Sequence, residues 1–280
     1  MAELQAPRLT FWGSRGSIPV GGPARVRYGG ATACISLTDQ GRRIVVDAGS
    51  GLREYGKSLT STEPDQHHTI LLSHLHWDHI AGLPFFPPLY QSSAAVEILG
   101  PNQPTATLKS VVAGLMAPAV WPLSPLAALT VTPVQAGEFQ AGGFAVNACQ
   151  LAHAGLTLGY RITCPSGPIV SYVTDNELAA MHPALRQALV QLVAGSDVLV
   201  HDATWNDALL PERSGWGHSS GSEAVALGLD AGCRTVVLFH HDPDADDAAL
   251  DRQVESARRQ AAEHGGSVVV AAADGMILDL

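Results

Sequence analysis

Short runs of β-branched and other apolar residues recur along the chain, separated by clusters of Gly, Pro, Ser and Asp. They predict strands at 8–12, 34–38, 43–47, 69–73, 96–99, 144–150, 157–163, 169–174, 198–201, 235–239 and 267–271. Longer segments with apolar positions three and four apart predict helices at 51–58, 78–83, 105–115, 178–193, 220–231 and 246–264. The early strands follow one another closely, as hairpins do, and the later ones alternate with helices. The expected class is therefore α/β, with sheets that mix antiparallel and parallel pairs. Proline-rich 101–133 interrupts the rhythm and is expected to form a lid-like insertion, where Met116 and Trp121 are candidates to line a substrate pocket.

Composition narrows the picture. The 280 residues are 46% hydrophobic and 15% charged, with no long polar tract, as expected for a single domain over 1–280. The first residues lack a basic segment followed by an apolar one, and no apolar run approaches the about 18 to 20 residues of a membrane span, which points to a cytoplasmic protein that does not enter membranes. Cys34, Cys149, Cys164 and Cys233 have no paired spacing and are expected to be reduced, buried thiols. The net charge of −10 repels polyanions, so large nucleic acids are disfavoured as partners. Positive charge concentrated at one point would still leave room for a small anionic substrate.

The densest chemistry lies in T-I-L-L-S-H-L-H-W-D-H-I-A-G-L-P-F-F, residues 69–86. In an extended segment alternate residues share a face, so His74 and His76 can turn two imidazoles toward one ion. The turn that follows brings Asp78 and His79 beside them, and together these groups can hold two ions. A helix starting near Asp78 adds the positive end of its dipole, which favours anions.

His74-Leu75-His76-Trp77-Asp78-His79 resembles the H-x-H-x-D-H signature of the metallo-β-lactamase superfamily. Further motifs of that family can be matched in Q-L-A-H-A-G-L-T-L-G-Y-R (His153), S-Y-V-T-D-N (Asp175) and V-V-L-F-H-H-D-P (His240). The resemblance implies a four-layer αββα sandwich of two mixed sheets. It also implies a dinuclear centre, with His74, His76 and His153 on one ion, Asp78, His79 and His240 on the other, and Asp175 shared. His241 competes with His240; the first residue after the strand is taken as the ligand, which leaves His241 for substrate contact. The cofactors implied are two divalent ions, zinc first, with manganese or iron compatible with an all N/O donor set.

The segments L-T-F-W-G-S-R-G-S-I-P-V, R-Y-G-G-A-T-A-C, V-V-D-A-G-S-G-L-R and D-H-I-A-G-L-P-F-F-P-P-L-Y resemble a finer branch. It groups cyclic-nucleotide phosphodiesterases, the phosphonate-pathway cyclic phosphodiesterase and the tRNA 3′-processing endonucleases. That branch implies an acid–histidine pair, matched here by Asp202 in V-L-V-H-D-A-T and His218 in W-G-H-S-S-G, with Asp78 joining them in the catalytic set. Arg15, in a glycine-bounded turn, is a candidate phosphate contact, and Asp47 a candidate to orient a metal histidine. Ala31 stands where many relatives carry asparagine, and no long basic arm for gripping tRNA is evident.

The expected function is hydrolysis of small phosphodiesters, of cyclic nucleotide or cyclic phosphate type, through attack by a metal-bound hydroxide. Lactonase, thioesterase or β-lactam hydrolase activity on the same metal core is the alternative within enzymes. A non-catalytic metal-binding sensor is the alternative outside them. A homodimer is compatible with the resemblance.

Overall fold

The computed structural model describes residues 6–59 and 66–280. β1 (Arg8–Gly13), β2 (Cys34–Asp39) and β3 (Arg42–Val46) form an antiparallel meander. After α1 (Leu52–Ser58) the sheet continues in parallel with β4 (His67–Leu71), and beyond α2 (Trp77–Ile80) with β5 (Ala95–Gly100). α3 (Leu108–Leu115) then leads to β6 (Ala128–Pro133), parallel to β5.

The second sheet opens with an antiparallel run of β7 (Gly137–Ala141), β8 (Phe144–Gln150), β9 (Leu158–Thr163) and β10 (Ile169–Val173). α4 (Pro183–Val193) crosses to β11 (Val198–Asp202), α5 (Gly221–Asp230) to β12 (Thr235–Phe239), and α6 (Asp247–Glu263) to β13 (Val268–Ala271), all parallel. β14 (Ile277–Asp279) returns to pair with β1, closing a first sheet ordered β14-β1-β2-β3-β4-β5-β6 against a second ordered β13-β12-β11-β10-β9-β8-β7.

Alternation along the strands explains the layers. Leu9, Phe11, Ile44 and Val46 from the first sheet meet Tyr160, Ile162, Val170 and Phe239 from the second in a buried central core. Val45, Ile70 and Ile98 face outward instead, under Leu52 and Tyr55 of α1 and Leu108 and Val112 of α3. α4 covers Leu199, while α5 and α6 cover Val236 and Val269. The result is the expected αββα sandwich. The helix starts are capped by Thr107, Asp246 and a Ser220–Glu223 capping box.

Several sequence expectations shift. β6 and β7 were not expected, and both are sheet-edge strands. β6 lies in the proline-rich segment and ends on a proline, which an edge tolerates; β7 is the polar G-E-F-Q-A. β14, three residues long, was also not expected. The helix expected at 178–193 breaks before Pro183, because the residue preceding proline avoids helical geometry; His182 caps the shorter α4 with its side chain. The 101–133 segment supplies α3 and the edge strand β6, so much of it belongs to the outer layer and first sheet. All four cysteines are free and buried, and burial pushes the Cys149 and Cys164 thiols up to about 12. Among the described residues no helix is long and apolar enough to cross a membrane.

Candidate metal centre

The carboxyl ends of β4, β10, β11 and β12 and the end of β8 converge at one rim of the sandwich, the usual place for ligands on parallel strands. His74, His76, Asp78 and His79 follow β4, His153 follows β8, Asp175 follows β10, and His240 follows β12. The seven residues matched from the sequence thus arrive together from four connections in both sheets.

Their donor atoms form two groups that share one carboxylate. Asp175 Oδ2 lies 3.6 Å from His74 Nε2 and 3.4 Å from His153 Nε2, and His153 Nε2 lies 3.0 Å from His76 Nδ1. Asp175 Oδ1 lies 3.2 Å from both His79 Nε2 and His240 Nε2. Asp78 Oδ2 completes that second group, 3.3 Å from His79 Nε2 and 3.1 Å from His240 Nε2. A tetrahedron with bonds of about 2.0–2.1 Å has edges of about 3.3–3.4 Å, so these separations match those between ligands of one divalent ion. His74 Nε2 is buried and has no hydrogen-bond partner, an orphaned lone pair directed into the first group. The residues present therefore fit a divalent metal.

The far sides of the imidazoles are held so that the inner nitrogens face the cluster. Asp47 is fully buried at the end of β3 and accepts from Ser73 N–H at 2.7 Å, Ser73 Oγ at 2.8 Å and Tyr172 Oη at 2.7 Å. The same carboxylate lies 2.8 Å from His79 Nδ1; as it can only accept, that nitrogen carries the proton. Ser73 Oγ donates to Asp47, so it accepts from His74 Nδ1 at 3.0 Å. His153 Nδ1 donates to the Gly217 carbonyl at 2.9 Å, and His240 Nδ1 to Thr204 Oγ1 at 3.1 Å. Asp47 thus orients a cluster histidine as the sequence suggested; Ser73 and Thr204 were missed, since a hydroxyl beside a strand end has no spacing to mark it.

The electrostatics follow from burial and crowding. Burial lowers His74 far below the ordinary imidazole range, with His79 adding to the effect. Burial also opposes a charged His79, but Asp78, Asp175 and Asp47 outweigh it and hold that group well above its usual value. Burial would raise the Asp78 carboxyl, yet His79 and His240 hold it far below the carboxylate range.

Asp202 and His218 stand beside this cluster. Asp202 is fully buried and accepts from Thr204 N–H at 3.0 Å, Thr204 Oγ1 at 2.8 Å and Asn176 N–H at 3.2 Å. His218 Nδ1 donates to Asp202 Oδ2 at 2.7 Å. Burial works against a charged His218, but Asp202, Asp175 and Asp78 raise its pKa to about 9. Its ring stacks 5.0 Å from His240, and one of its nitrogens falls within 4.8 Å of donors from Asp175 and His240. The loop before it is pinned by Glu177, which accepts from Gly215 N–H at 2.8 Å and Gly217 N–H at 2.9 Å. Glu177 was missed in the sequence, where nothing marks an acid two residues beyond Asp175 as an anchor for a loop forty residues away.

Four expected substrate contacts lie elsewhere. Arg15 is fully buried, and its Nε and Nη1 donate to the carbonyls of Gly29, Asp242 and Ala245 at 3.0, 2.8 and 2.8 Å, so it fastens loops, while Nη2 is buried without a partner. His241 turns away from the cluster to donate to the Ala272 carbonyl at 2.9 Å, and burial lowers it to about 4. That leaves His240 as the histidine in the cluster. Met116 ends α3 and lines a surface groove with Val112 and Leu129, at the end of the parallel strands remote from the metal donors. Trp121 donates to Tyr90 Oη at 2.7 Å and packs its ring 4.7 Å from Phe85, without touching the donor groups.

Residues 42–241 match the Beta-lactamase superfamily domain. The chain belongs to the beta-lactamase superfamily. Among curated relatives, this superfamily member is 26% identical over 220 residues to ribonuclease Z of Exiguobacterium sibiricum, a span covering 64% of this chain and 72% of that protein. Among solved structures it superposes on the metallo-β-lactamase fold protein YhfI of Bacillus subtilis with TM-score 0.71 at 18% identity, over 98% of this chain and 99% of the other. A diphosphatase of the PhnP family aligns with TM-score 0.70 at 17% identity, over 98% of each chain. The names of the ribonuclease Z and PhnP-family relatives fit the branch expected from the sequence, and the chain is a metal-dependent hydrolase of the superfamily.

Proposed function

We propose that this hydrolase cleaves small phosphodiesters with two divalent ions held by His74, His76, His153 and Asp175 on one side and by Asp78, His79, His240 and Asp175 on the other. The observation that carries this reading is Asp175, which presents one oxygen to each donor group. The all N/O donor set suits zinc first, with manganese and iron compatible. Such ions, when bound, supply Lewis acidity to phosphoryl oxygens and lower the pKa of water to about 7.

The chain's own residues do the rest. The Asp47, Ser73, Gly217 and Thr204 contacts fix the imidazoles before substrate arrives, so little reorganisation is needed during reaction. His218 gives Nδ1–H to Asp202, which leaves its other ring nitrogen facing the donor groups. Protonated there, it can pass a proton to the departing oxygen of a phosphodiester, a role that ordinarily contributes about 10²–10⁴-fold. A thiolate leaves readily without a placed acid, whereas an alkoxide does not, so the His218–Asp202 pair favours phosphodiesters over thioesters. The net charge of −10 favours a small anion over a long polyanion, while the relative named ribonuclease Z keeps RNA in the comparison. We take residues 1–280 as one catalytic unit, because both sheets contribute donors to the same centre, and keep the cytoplasm as its expected location.

The test combines elemental analysis with turnover on cyclic nucleotides, aryl phosphodiesters, lactones, β-lactams and a structured RNA. Asp78→Ala and Asp175→Ala should lose metal and activity together, whereas His218→Ala should keep its metal and lose about 10²–10⁴-fold in kcat on phosphodiesters. Dominant lactone or RNA turnover by the native enzyme, or equal metal loss in all three variants, would overturn the assignment.

A further inference from the structure

The loop that carries His218 also carries two residues for which neither metal binding nor proton transfer has a use. Trp216 is 56% exposed, one residue from the peptide that holds His153 and two from His218. Its ring lies 6.0 Å from that of Trp205, which lies 6.0 Å from His218, so the indoles and the imidazole form a continuous aromatic path toward the donor groups. The Arg213 guanidinium sits 4.6 Å from the centre of the Trp216 ring and 5.3 Å from that of Trp205. Among the described residues it has no hydrogen-bond or carboxylate partner, and its Nε is buried without an acceptor. In a chain with more acids than bases, a cation held only by two aromatic faces has its charge available to a ligand.

We infer that Trp216, backed by Arg213 and Trp205, is a stacking platform for a flat aromatic group, a nucleobase or aryl ring, carried on the phosphodiester; this rests on the phosphodiesterase reading above. A half-exposed indole gives a base a flat π face, and stacking of this kind does not depend on base identity. The guanidinium beneath it holds the ring in place and adds positive charge near the phosphate, whereas Arg15, the cation expected there, is committed to carbonyls. The platform is rigid because Glu177 fixes the peptides on both sides of Trp216 through Gly215 and Gly217. Trp77, 55% exposed between two donor residues, has no such backing among the described residues.

The test is equilibrium binding of adenosine 5′-monophosphate and of ribose 5-phosphate to the metal-loaded enzyme, which requires no turnover. The native protein should prefer the base-bearing ligand by about tenfold, as one stacked base ordinarily provides. Trp216→Ala should abolish the preference while leaving ribose 5-phosphate affinity and metal content unchanged, and Trp216→Phe should restore most of it. Equal affinities in the native protein, or a preference that survives Trp216→Ala, would overturn the platform. A Trp216-dependent preference in a protein that hydrolyses no phosphodiester would overturn the proposed reaction and leave the platform standing. Phosphodiester hydrolysis without the preference would do the reverse.

Discussion

Asp202 serves two histidines at once. It holds His218 directly at 2.7 Å and reaches His240 through the Thr204 hydroxyl, so one buried carboxylate ties His218 to the donor cluster. Asp202→Asn removes the charge that raises His218 while its burial remains, so the imidazolium becomes harder to form. A proton donor must be protonated, and its activity is lost as pH rises through its pKa. The basic limb of the kcat–pH profile should therefore move to lower pH in Asp202→Asn and vanish in His218→Ala. An unmoved limb in both variants would assign the proton to another group. The value of about 9 includes contributions from Asp175 and Asp78, carboxylates that a bound cation offsets, so metal loading should lower it, which histidine NMR would register.

At the scale of elements, the ends of three strands share a backbone feature. Asp47, Asp175 and His240 follow β3, β10 and β12 with φ of 60°, 53° and 56°, a left-handed conformation that costs free energy outside glycine. The turn lets each strand end abruptly and throws the side chain inward over the core. Close approach of the backbone matters as well. A Cβ on Gly16 would lie 2.3 Å from Cε1 of His240, inside any allowed contact, although the local backbone accepts alanine. Gly16→Ala should fold normally and weaken metal binding by about 10–100-fold, the usual effect of disturbing a ligand's support. Competition with a chelator measures it, and unchanged affinity would mean that His240 can shift without loss.

At the scale of the molecule, the donor cluster joins the two sheets. His74, His76, Asp78 and His79 hang from the first sheet, and His153, Asp175 and His240 from the second, with acidic groups facing one another across the seam. Metal bound there cross-links the halves, so stripping it should lower Tm; a ligand at a hundred times its Kd stabilises by about 2.7 kcal/mol. Three carboxylates hold His79 above its ordinary pKa, against the effect of burial, and so favour a proton on its inner nitrogen in the metal-free protein. Metal must displace that proton, so affinity should rise with pH and loading at pH 7 should release protons. Calorimetry in buffers of different ionisation enthalpy would show the release, and a buffer-independent heat would count against it.

The sequence by itself determined the layers, and it marked the seven residues that the structure brings into one cluster. Strand and helix periods gave most elements because burial on both faces of each sheet leaves short, nearly continuous apolar runs, and H-x-H-x-D-H is dense enough in metal-binding groups to mark itself. Edge strands β6 and β7 escaped because an edge accepts polar residues and proline. Only the tertiary structure decided how side chains were used. Arg15, a surface phosphate contact by its glycine-bounded motif, is fully buried on three carbonyls, and His241 turns to Ala272 while its neighbour enters the cluster. Glu177, Ser73 and Thr204 matter through contacts with residues distant in sequence or hydroxyls too common to notice. Periodicity records which face of an element is buried. It carries no record of which distant atoms meet there, because that depends on how the two sheets pack.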